Sequence, residues 1–62
     1  MHYNTVNRLL KELALADHAV RQVMDCASEN EEEEVYRGTQ AILKEIEACR
    51  DAVRKINYTV RR

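Results

Sequence analysis

Few side chains in this 62-residue sequence have the chemistry for a reactive or ligating role, and their spacing limits what each can do. Asp17 and His18 are adjacent, which invites an acid–base reading. A general base needs a nucleophile within hydrogen-bond reach and a cleft that excludes water. Neither Ser nor Cys shares the His18 face, so the pair is expected to be a solvated surface pair. The soft metal ligands are His2, His18, Cys26 and Cys49. None of them stands three or four residues from another, the spacing that sets two ligands on one helical face, so no metal site is expected. The sequence has no Gly-rich phosphate loop and no nucleophile–base pair. The expectation is therefore a protein that is not an enzyme, with no cofactor and no small-molecule substrate.

Two charged clusters are better candidates for binding. Glu31 to Glu34 form an acidic run. Consecutive carboxylates on a helix diverge and make a poor cation cage, so capping and solubility explain them better. Residues 50–62 carry five Lys/Arg against one Asp. Arg54, Tyr58, Arg61 and Arg62 are the candidate nucleic-acid contacts, because cations grip phosphates and an aromatic ring can stack on a base. Complementation of a helix dipole by positive charge at its C-terminal end is the simpler reading of the same residues.

The elements that position these groups follow from periodicity. Val35, Thr39, Ile42, Ile46, Cys49, Val53, Ile56 and Val60 step by alternating fours and threes, and so do Val6, Leu9, Leu13, Ala16, Val20, Val23 and Ala27. These are the a and d positions of a heptad seam. Pro is absent and Gly occurs once, so helix breakers are scarce. The expected fold is all-α: an antiparallel two-helix hairpin, helix 1 at about 5–27 and helix 2 at about 31–60, forming a single helical-hairpin domain over 1–62. Asn4 or Thr5 is expected to cap helix 1. Ser28-x-x-Glu31 or Asn30-x-x-Glu33 is expected to open helix 2 as a capping box. Helix 2 is expected to be the longer, with residues beyond Ile56 overhanging the hairpin or fraying.

A turn at residues 28–30 pairs positions whose numbers sum to roughly 58. Cys26 and Cys49 are then ~25 Å apart along the hairpin, well beyond the ~7 Å that a disulfide allows. Two unpaired thiols fit a reducing compartment, so the cytoplasm is expected. In the seam, Cys49 is expected as a small buried hydrophobe and Cys26, near the turn, as the more accessible thiol. Thr39 is expected to return its hydroxyl to the carbonyl four residues earlier. Gly38 marks either a kink or a close approach to Ala19, and the unbroken heptad favours close approach.

The surface beside the seam points to a partner. The e positions hold Leu10 and Met24 on helix 1 and Tyr36 and Leu43 on helix 2, too apolar for a solvated flank. The g positions hold small residues, among them Ala19 and Gly38. Two helices cannot close so wide an apolar face, whereas four can. Net charge is −1 and no stretch approaches the ~18 apolar residues of a membrane span. The expected function is that of a protein–protein interaction module, an adaptor, co-chaperone or mobile-element accessory protein. It self-associates into a homodimeric four-helix bundle or docks on another helical protein through Leu10, Met24, Tyr36, Leu43, Ala19 and Gly38. The alternative is a small nucleic-acid regulator acting through the basic end of helix 2.

Overall fold

Good helix formers and heptad spacing produce two helices of nearly equal length, α1 from Tyr3 to Glu29 and α2 from Glu33 to Val60. They pack against each other as a hairpin in the computed structural model, which describes the backbone of residues 3–60 and the side chains of residues 4–56. Helix 1 is longer at both ends than its periodicity indicated. Asn4 and Thr5, expected as caps, lie inside it. The expected overhang of helix 2 is accordingly absent from the described residues, since the helices span 27 and 28 residues.

The turn falls later than expected because helix 1 ends on its own C-terminal motif. Glu32 N donates to Ala27 O at 2.8 Å and Glu31 N to Ser28 O at 3.3 Å. This pair of bonds is a Schellman closure, with Glu31 in the left-handed position at φ 56°. The Asn30 side chain donates to Cys26 O at 2.8 Å. Asn30 therefore finishes helix 1 instead of opening helix 2. Neither expected capping box forms as the start of helix 2. Its first turn is entered from Glu32, whose carbonyl accepts from Tyr36 N at 3.0 Å. Glu33 and Glu34 occupy that first turn, where the dipole favours negative charge.

Burial follows a 4-3 ladder, but not the expected one. On α1 the covered residues are Val6, Leu10, Leu13, Asp17, Val20, Met24 and Ala27. On α2 they are Tyr36, Thr39, Leu43, Ile46, Arg50 and Val53. These are the a and e columns, not a and d. Each helix is thus rotated by roughly 50° about its axis from the expected seam, half the ~100° step between successive residues. The d column faces out: Leu9, Val23, Val35, Ile42 and Ile56 are all exposed, Val23 and Ile42 at 50% and 47%. Cys49 belongs to that column and is exposed, which corrects its expected burial.

The a/e choice has a physical reason. With only one neighbour available, a helix gains most by turning its longer side chains inward. At matching levels Met24 and Tyr36 are longer than Val23 and Val35, Leu10 and Leu43 match Leu9 and Ile42, and the stem of Arg50 outreaches Cys49. Asp17 and Arg50 come along with them. Arg50 Nη2 lies 3.9 Å from Asp17 Oδ2 across the seam, and both side chains are mostly covered. The aliphatic stem of Arg50 packs while its head meets a carboxylate.

Two local expectations change as well. The hydroxyl of Thr39, buried at 4%, donates to Tyr36 O at 2.6 Å, three residues back and not four. Gly38 neither breaks the helix nor packs closely: α2 runs through it, and a Cβ placed there would meet no atom within 4 Å.

Candidate functional site

The hairpin has two broad faces, and they differ in composition. One carries the d columns: Leu9, Ala16 and Val23 on α1, Val35, Ile42, Cys49 and Ile56 on α2, all exposed. In an antiparallel pair, positions of the same letter on the two helices share one side of the seam. The structure shows this directly near the turn, where Val23 and Val35 line one open groove of ≈ 450 Å³ with Cys26, Ala27, Asn30 and Glu32. The g positions border this face with the small residues Ala19, Gly38 and Ala52 and with the carboxylates Glu12 and Glu45, all exposed. The opposite face carries the b columns, Asn7, Ala14, Arg21 and Ser28 with Gln40, Glu47 and Arg54. One face is therefore a mainly aliphatic strip edged by small residues and two carboxylates, and the other is polar.

The residues expected to meet a partner fall in two places. Leu10, Met24, Tyr36 and Leu43 lie half-buried in the seam between α1 and α2. Ala19 and Gly38 lie on the open face beside the d column, and a Cβ at Gly38 would meet no atom within 4 Å. Periodicity had marked the d residues as apolar but assigned them to the intramolecular seam. Leu15, exposed at 55%, stands apart, about 100° around the helix from Ala16.

The whole-molecule dimensions agree with an uncovered face. The accessible surface is 5166 Å², where a compact monomer of this mass would expose about 4,200 Å². The radius of gyration is 14.4 Å, against about 11 Å for a globular chain of this length.

The reactive-looking residues take separate partners. Asp17 accepts a hydrogen bond from Arg21 Nε at 2.6 Å and faces Arg50 across the seam. That hydrogen bond, with the carboxylate's charge, holds the Arg21 guanidinium above its usual pKa. His18 is exposed, with Nε2 3.2 Å from Gln22 Nε2 one turn on. Cys26 and Cys49 are both exposed and free. With the turn centred two residues later than expected, they still lie about 20 Å apart along the hairpin. Among the described residues, no group of three or more His, Cys, Asp or Glu is placed to hold a metal ion.

At the basic end, Arg50 is engaged by Asp17, and Arg54 lies 3.4 Å from Asp51. The last turn of α2 holds no basic residue among those described. Of the candidate nucleic-acid contacts, Arg54 sits on the polar face. The Tyr58 side chain, Arg61 and Arg62 lie outside the described residues. No helix of the described residues is long and apolar enough to cross a membrane.

Neither a protein-family model, nor a curated protein, nor a solved structure matches this chain.

Proposed function

We propose that this protein is a non-enzymatic interaction module whose hairpin is half of a helical bundle, completed by a second copy of itself. The observation that carries the reading is the exposed d-column face, a continuous aliphatic strip along both helices. Each of its large residues, now about half covered, stands to gain about 1 kcal/mol on full burial. The broad side of the hairpin measures about 48 by 15 Å, long enough for a second hairpin to lie along its whole length. A four-helix bundle is the closed solution for two such faces. A helical protein of another kind, met through the same strip, is the other occupant of this class. Two free, exposed thiols support a reducing compartment, the cytoplasm.

Of the contacts in the nucleic-acid alternative, the described side chains include Arg54, which lies 3.4 Å from Asp51.

Sedimentation equilibrium tests the reading. The expected species has about twice the chain mass of 7.3 kDa. Val23→Glu/Ile42→Glu should return it to a single chain that stays helical, because both residues lie outside the seam. Leu15→Glu, on an exposed leucine off the face, should leave the dimer intact. A chain that remains monomeric to millimolar concentration would refute self-association.

A further inference from the structure

The hairpin is electrically polarised from end to end. Around the turn, residues 25–37 carry six carboxylates, Asp25, Glu29 and Glu31 to Glu34, against Arg37 alone, for a net charge of −5. At the other end, residues 3–12 and 50–60 carry Arg8, Lys11, Arg50, Arg54 and Lys55 against Glu12 and Asp51, for a net charge of +3. The two ends are separated by most of the 48 Å length.

Two face-to-face hairpins related by a two-fold axis have two possible orientations. With the axis along the helices, both turns lie at one end and α1 of one copy faces α2 of the other. With the axis across the helices, each turn lies beside the other copy's termini, α1 faces α1 and α2 faces α2. We infer that the second copy binds in the latter, head-to-tail orientation. The inference rests on the self-association proposed above and specifies its geometry.

One observation selects it, and a second is compatible with it. The first is charge: the head-to-tail dimer sets each acidic turn beside a basic end, whereas the other arrangement places two −5 ends together and two positive ends together. Like-charge juxtaposition at an interface is strongly disfavoured. The second is the spacing of the exposed strip. From a turn centred on residue 31, midway between Glu29 and Glu33, Val23 and Leu9 lie about 8 and 22 residues out, Ile42 and Cys49 about 11 and 18, and Val35 and Ile56 about 4 and 25. Each pair sums to about the length of the hairpin. Reversal of one copy therefore brings Val23 to Leu9, Ile42 to Cys49 and Val35 to Ile56, in every case aliphatic or thiol against aliphatic. Ala16, at about 15 residues, meets its own copy on the axis. A methyl group there allows the two α1 helices to approach closely at the centre.

The test separates orientation from association. A nitroxide at Glu34→Cys, in a Cys26→Ser/Cys49→Ala background, reports the distance between copies by double electron–electron resonance. Head-to-tail packing places the two labels about 23 residues apart along the bundle, roughly 35 Å. Packing with both turns at one end leaves only the bundle width, about 15–25 Å with the label arms. A peak near 35–40 Å in a particle of twice the chain mass is expected. A peak near 15–25 Å in that particle overturns the orientation and leaves the dimer standing. A particle of single-chain mass rejects the dimer and the orientation with it. As a second probe, Ala16→Cys in the same background should form a covalent dimer under copper–phenanthroline oxidation. Facing Cα atoms on the axis fall within disulfide reach only when α1 meets α1. Loss of that cross-link in a dimeric particle counts against the inference.

Discussion

The one glycine of this chain stands where a glycine is a liability, and the position that calls for one holds a glutamate. Glu31 closes the Schellman motif of α1 at φ 56°. A residue with a Cβ in that region is disfavoured by roughly 1–2 kcal/mol, and Gly is not. Gly in turn loses more freedom on folding, by roughly 0.5–1 kcal/mol. The expected net gain of Glu31→Gly is then about 0.5–1 kcal/mol, plus a few tenths from thinning the acidic run. Gly38 presents the converse case. It lies inside α2 with ordinary negative φ, and an added Cβ meets nothing within 4 Å. Gly38→Ala should therefore recover the full helix-propensity difference, about 0.8–1 kcal/mol. The sites share no contacts, so the double variant should gain close to the sum, about 1.5–2 kcal/mol. At about 4–8 °C per kcal/mol for a chain of this size, the melting midpoint should rise by roughly 6–16 °C. Circular dichroism at fixed chain concentration measures it, since the proposed self-association would make the midpoint depend on concentration. Glu31→Ala is the necessary control, because it removes the charge and keeps the strained Cβ. If Glu31→Ala stabilises as much as Glu31→Gly, charge and not backbone conformation is the cause. A Glu31→Gly variant with an unchanged or lowered midpoint would refute the cap argument, and a destabilised Gly38→Ala would show that something occupies the open space beside α2.

Further outcomes follow from the seam. Leu10→Glu/Leu43→Glu should unfold the hairpin, because both side chains lie between the helices. Val23→Glu/Ile42→Glu should keep the helical signal and lose only the dimer, and circular dichroism with sedimentation distinguishes the two. Val6→Ala removes two methyl groups from a side chain that is 1% exposed and should cost about 1.5–2 kcal/mol in urea denaturation. Thr39→Val should be neutral or mildly stabilising, within about 1 kcal/mol, since the hydroxyl only shares a carbonyl of its own helix. Replacement of Asp17 and Arg50 together by Leu should raise the urea midpoint, while Asp17→Leu alone should lower it by leaving the mostly covered Arg50 without its carboxylate. Two equal midpoints would show that the cross-seam pair is inert.

Much of the fold is legible in the residues alone. The 4-3 ladders, the absence of Pro and the Glu-rich break between the halves are local properties, so two helices and one reversal follow from them without any tertiary information. The separation of the two thiols follows as well, because any turn near residue 30 leaves them many turns apart. The surplus of apolar positions beyond one seam is likewise a counting argument, and it indicates that two helices leave an apolar face uncovered. Three columns carry large apolar residues here, a, d and, between Asp17 and Arg50, e, and a heptad seam can form on a/d or on a/e. Periodicity cannot choose between a/d and a/e, because both repeat every seven residues and differ only by a rotation of roughly 50°. That rotation is a tertiary quantity, decided by which side chains cover most of the one helix available. Leu10, Met24, Tyr36 and Leu43 turn inward with Asp17 and Arg50, so the d column, which the ladder places at the centre, becomes the outer face. The turn was decided in the same way. Two capping boxes were readable in the sequence, but Asn30 and Glu31 closed α1 first, and only the hydrogen bonds of the folded chain show which helix end claimed them.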